Sequence, residues 1–212
     1  MNFKELCEAL IREGEGQVNG VNDFETLPEW PKAQAWIKRA YEQVQLEQPH
    51  WTFLFGTGKL FTTRSGVRTY LPIADVAEVD TRSLLLDRSG RKGALNWLPY
   101  EDWRALFASS YIAEGVPQWI SRLPSGEFIL APAPNGAYMV TGDWWNAVSS
   151  FELNEDEPIW DSSFHEIIVW KALRFWAEEN DVPSLRQRIA MTLPRMERAF
   201  ILKYLPATRK PL

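Results

Sequence analysis

The sequence predicts an α+β protein, a bundle of N- and C-terminal α-helices with an antiparallel β-rich insertion lobe between them in the chain. Three observations carry this. Apolar residues recur at helical spacing near both ends, over residues 2–13, 28–47, 161–180 and 184–204. The middle changes to short strand-like runs punctuated by Gly56, Gly58, Gly66 and Gly90. The links between those runs are too short for crossovers, so the strands are expected to pair antiparallel. The implied division is a helical domain of residues 1–50 and 155–205, a β lobe over 51–154 and a tail over 206–212.

The first helix aligns Phe3, Leu6, Cys7, Leu10 and Ile11, and the Gly14 and Gly16 region releases the backbone. The second opens at Pro28-Glu29-Trp30-Pro31, presents Ala33, Trp36, Ile37, Ala40, Tyr41 and Val44, and stops at Pro49. Strands are expected at residues 51–55, 60–63, 67–72, 76–79, 83–86, 118–123, 127–130 and 137–142, with a short helix near 99–109. Gly56-Thr57-Gly58-Lys59 reads as a hairpin turn, because a phosphate loop needs four residues between its glycines and a Ser or Thr after the lysine.

Asp161 or Ser162 can cap the third terminal-lobe helix, whose apolar residues cover most of its circumference and so need cover on more than one side. The last helix carries a narrower stripe at Leu185, Ile189, Leu193, Met196, Phe200 and Tyr204, with Pro194 expected to bend it.

The chain has 212 residues, 45% apolar and 24% charged, a composition that excludes disorder, collagen and a bare coiled coil. No run of residues is long and apolar enough for a membrane span, and the acidic N-terminus is unlike a signal peptide. The single cysteine, Cys7, cannot form an internal disulfide and reads as a core residue. His50 and His165 have no neighbouring ligands at metal spacing, and no nucleophile elbow is present, so no cofactor, metal or catalytic residue is expected.

The charge is divided unevenly. Residues 184–212 hold seven bases (Arg186, Arg188, Arg195, Arg198, Lys203, Arg209, Lys210) against Glu197 alone, while the first 183 residues hold 16 bases and 27 acids. Such a division suits a solvated basic face or docking onto an acidic partner, including the acidic body of a neighbouring copy. Specific binding of duplex DNA is disfavoured by the net charge of −5.

Several stretches resemble the head-to-tail adaptor (connector) proteins of tailed bacteriophages. One is Leu27-Pro28 with the helix around Trp36-Ile37-Lys38-Arg39-Ala40-Tyr41, followed by Trp51-Thr52-Phe53-Leu54. The other runs from Phe128-Ile129-Leu130-Ala131-Pro132 and Asn135-Gly136-Ala137-Tyr138 through Trp144-Trp145 to Asn154-Glu155-Asp156-Glu157-Pro158-Ile159-Trp160 and a helix near Phe164-His165. Residues 73–114 have no counterpart in it.

The resemblance implies a structural virion protein of the neck, made in the bacterial cytoplasm and lacking enzymatic activity. It implies a dodecameric ring under the portal protein, with a tail or neck protein on the opposite face. Double-stranded DNA would pass through the ring without sequence-specific binding. Terminal helices or tails of related adaptors engage the portal, which nominates Arg195, Arg198, Lys203, Tyr204, Arg209, Lys210 and Leu212 for that contact. Lateral ring contacts would use apolar surface, which nominates Trp170, Phe175, Trp176, Trp144 and Trp145.

Two other readings compete. The 11 tryptophans include Trp144, Trp145 and Trp160, which could stack on sugars in a carbohydrate-binding β-domain. The run Glu152, Glu155, Asp156, Glu157, Asp161, Glu166 could supply a glycosidase carboxylate pair or hold a hard cation. A solvated loop preceding a helix N-terminus explains the same acids.

Overall fold

The structure, a computed structural model, describes residues 1–15, 23–72, 75–107 and 113–205. The chain begins with α1 (Phe3–Glu15) and α2 (Trp30–Leu46). Strands follow at β1 (Phe55–Thr62), β2 (Thr69–Tyr70), β3 (Val76–Val79), β4 (Leu85–Arg88), β5 (Arg91–Ala94) and β6 (Asn96–Trp97). Then come α3 (Tyr100–Phe107), β7 (Trp119–Arg122), β8 (Phe128–Ala131), β9 (Met139–Asn146), α4 (Glu166–Glu179) and α5 (Pro183–Tyr204). This is an α+β fold with helices flanking a β insertion, and it forms two compact units, Met1–Phe53 with Val148–Leu212, and Leu54–Ala147.

In the helical unit α4 packs against α1, α2 and α5. That arrangement accounts for the breadth of its apolar surface: Ile167, Ile168, Val169, Ala172, Leu173, Trp176 and Ala177 are all buried within the chain itself. Each of the isoleucine, valine and leucine side chains contributes roughly 1.5–3 kcal/mol on burial. A side chain at Gly14 would have its Cβ 2.6 Å from the Trp176 indole, so α1 can approach α4 there only without one. The buried stripe of α5 is Leu185, Ile189, Leu193, Phe200 and Tyr204, and the helix continues through Pro194. Phe53, Trp160, Phe164, Phe200 and Tyr204 form one aromatic cluster, with centroids such as Phe200–Tyr204 at 4.8 Å and Phe53–Trp160 at 5.1 Å.

In the β unit one sheet runs β1-β9-β4-β5, with β3 also on β9, and a second runs β2-β8-β7-β6. Both contribute to a shared core that includes Leu60, Phe61, Leu84, Ile120, Phe128 and Val140. Arg122 fastens the sheets together, donating to the carbonyls of Val76 and Ala77 on β3 at 2.6 and 2.7 Å and to Gly126 O at 3.1 Å.

Several expectations are corrected here. Gly56-Thr57-Gly58-Lys59 is the first half of β1 and pairs with β9, Gly56 facing Trp144 and Gly58 facing Gly142. Glycine is required at position 56 because a Cβ would stand 2.5 Å from the Trp144 ring. Residues 52–54 are a turn, not a strand, and the expected strand at 67–72 shrinks to Thr69–Tyr70. The strands are not all antiparallel: β6 pairs with β7 in parallel, because α3 lies between them and lengthens the connection.

Candidate assembly interface

The described surface is best read from α5 outward. At 100° per residue, Met191, Arg195, Arg198 and Leu202 share the face opposite the buried stripe. All four are exposed, and among the described residues neither Arg195 nor Arg198 has an ion-pair partner. On the other side of α5, between it and α4, an open groove of about 370 Å³ is lined by Arg174, Glu178, Ile189, Ala190, Leu193 and Pro194, among others. The result is a mixed apolar and cationic stripe on a rigid helix.

Three attachments hold α5 in place. Lys171 of α4, only 1% exposed, donates to Glu197 of α5 at 2.6 Å and to Glu47 at the end of α2 at 2.5 Å. Arg188 pairs with Glu13 of α1 at 2.9 Å. At the other end, the Tyr204 hydroxyl accepts the Asp161 backbone N–H at 3.0 Å, and Lys203 pairs with the Asp161 carboxylate at 3.1 Å. Hydrogen bonds from the Ser163 hydroxyl and backbone N–H, helped by Lys203, hold the Asp161 carboxyl well below the usual range.

The nominated portal residues therefore separate. Arg195 and Arg198 are free to meet a partner, Lys203 and Tyr204 are engaged with Asp161, and Arg209, Lys210 and Leu212 lie outside the described residues. The nominated ring tryptophans separate as well. Trp144 and Trp176 are buried inside their own units, and the Trp144 indole N–H is already donated to Asn146 at 2.8 Å. Trp170, Phe175 and Trp145 are half-buried, the first two beneath Arg188 and Arg39 at 5.6 and 4.4 Å and the third against Phe55.

A sugar platform finds little support in this geometry, since Trp160 as well as Trp144 is buried, with protein rings on Trp160 at 5.1–5.3 Å. Two members of the acidic run work as local caps. Asp156 accepts the backbone N–H groups of Glu152 and Leu153 at 2.7 and 2.8 Å, which holds its carboxyl low, and Asp161 caps the helical turn at Ser162–Phe164. No group of three or more His, Cys, Asp or Glu is placed to hold a metal ion among the described residues. Cys7 is buried, which pushes its thiol up to about 12 and leaves it unreactive in the folded protein.

The sequence matches the family described as SU10 adaptor protein over residues 1–202. The chain belongs to the SU10 adaptor family. No curated protein matches it. Membership makes this SU10 adaptor a structural phage protein, in agreement with the resemblance read from its motifs. Among its described residues no helix is long and apolar enough to cross a membrane.

The stripe on α5 was only partly visible in the sequence. The basic bias of the C-terminal region marked it, but Met191 and Leu202 were hidden because exposed apolar residues and core residues look alike in one dimension.

Proposed function

We propose that this adaptor is the subunit of a dodecameric ring seated beneath the portal in the phage neck, joining the DNA-filled head to the tail without enzymatic activity. The family match supports the role, and the observation on this chain that carries the reading is the outward face of α5, with exposed Arg195, Arg198 and Leu202 on a helix anchored at both ends. A lone chain gains nothing from presenting unpaired arginines beside exposed Leu and Met on one helix face; an assembling subunit does.

In this reading the basic C-terminal tail, with Arg209, Lys210 and Leu212, turns toward the portal. Trp170, Phe175 and Trp145, each half-buried, lie beside the lateral contacts. A tail or neck protein meets the far face. A dodecamer of subunits at −5 each carries about −60 in formal charge, so DNA passes along the channel with little adhesion.

Phage particles made without this chain test the role. The expected product is a packaged or leaking head that bears no tail, restored by supplying the chain in trans. Fully tailed, infectious particles made in its absence would refute the proposal.

A further inference from the structure

The exposed stripe of α5 has its complement on the same molecule. Met191 is 59% exposed and Leu202 76%, and Arg195 and Arg198 lie between them on one face. In the segment 152–159, Glu152, Glu155 and Glu157 are exposed with no ion-pair partner among the described residues, and the same segment exposes Leu153 and Ile159, 63% and 45%. One surface is apolar and cationic, the other apolar and anionic. We propose that the α5 stripe of one copy docks on the 152–159 segment of the next, forming the lateral contact of the ring; this rests on the ring reading above.

The anionic side is held ready for such a contact. The Asp156 carboxylate takes the N–H groups of Glu152 and Leu153, while the carbonyls of Asn154 and Asp156 accept the N–H groups of Lys4 and Phe3 at 3.1 and 2.8 Å. Phe151 stacks between Phe3 and Tyr41, with centroids at 5.0 and 4.2 Å. The segment is thus fixed to α1 and α2, and little conformational entropy remains to be lost when it is bound.

The two surfaces are distinct patches of one subunit, the stripe on α5 and the segment on α1 and α2, with Trp160 and Asp161 just after the segment joined to the end of α5 through Phe200 and Tyr204. A contact between unlike patches is heterologous, and repetition from copy to copy closes a ring when the rotation permits. Leu153 and Ile159 would meet Met191 and Leu202, with glutamates and arginines pairing around them. The charged pairs would steer the encounter and exclude the reverse orientation, since stripe against stripe or segment against segment brings like charges together.

The test uses the full chain added to the portal ring of its phage, with assembly read by native mass spectrometry. R195E/R198E and E155K/E157K are each expected to reduce ring formation by roughly tenfold or more, and the two pairs combined in one chain to restore it. All four positions are exposed, so unchanged melting curves by circular dichroism are expected. Independently, L153C combined with L202C is oxidised in the assembled neck. A ladder of disulfide-linked multimers is expected, and buried Cys7 adds no background.

Wild-type rings that persist in both reversed variants and yield no ladder would overturn this contact and leave the ring intact. Loss of portal attachment in R195E/R198E alone, with E155K/E157K unaffected, would overturn it in favour of the portal as the occupant. Failure of the wild-type chain to form a ring at all would instead remove the ring reading itself.

Discussion

Lys171 Nζ lies 2.6 Å from a carboxylate oxygen of Glu197, joining the buried centre of α4 to α5. Glu47 approaches the same ammonium from α2 at 2.5 Å, and the lysine is 1% exposed while both acids reach solvent. The cation therefore bears the full desolvation cost and depends on its two partners. Replacing either acid by Ala leaves one partner and is expected to cost about 1.5–3 kcal/mol. E47A/E197A leaves a buried, unpaired ammonium and is expected to cost about 3–5 kcal/mol. Urea unfolding of the singles and the double measures these losses, and values near zero would count against the bridge.

Asp161 makes the junction before α4 sensitive to acid. Its folded-state pKa is depressed by Ser163 and Lys203, so the folded state binds fewer protons than the unfolded state as acid is added. The resulting stability is present above the ordinary carboxylate range and is lost as pH falls through that range toward the folded value. Lys203 is shifted upward by the same contact, and its part is present at neutral pH and fades only at strongly alkaline pH. D161N should flatten the acid limb of a stability-versus-pH profile without altering the neutral plateau's dependence on pH.

Gly56 is the tightest point of the β unit. A Cβ there would stand 2.5–2.8 Å from three atoms of the Trp144 ring. G56A is expected to destabilise by about 1–3 kcal/mol through overpacking, seen as a lower melting temperature. G58A has open space around it but a φ of +125°, so its cost would come from backbone strain instead.

These residues also show how far sequence reasoning reached. The helices were legible because each carries a continuous apolar stripe, and the charge division pointed to the C-terminal region before any coordinates. Gly56 was misplaced in a turn because the reason for it, the indole of Trp144 on the paired strand, is 88 positions away in sequence. β5 gave no signal, since Arg91, Lys92 and Ala94 are exposed and only Gly93 is half-covered, leaving no alternation to find. The breadth of apolar surface on α4 suggested cover by other copies, whereas α1, α2 and α5 supply it. Lys203 and Tyr204 belonged to a basic run in sequence, yet both are engaged with Asp161, Tyr204 buried and Lys203 at the surface.

The basic tail offers a separate check on orientation. Removing residues 206–212 is expected to weaken attachment to the portal. Co-sedimentation with portal rings measures it, and unchanged attachment would remove the tail from the contact.

The mass of a complex between this adaptor and the portal tests the proposed ring most directly. Portal rings saturated with the purified chain should gain about twelve times the subunit mass of 24.5 kDa in native mass spectrometry. An unchanged portal mass, with the chain remaining a free monomer, would contradict it.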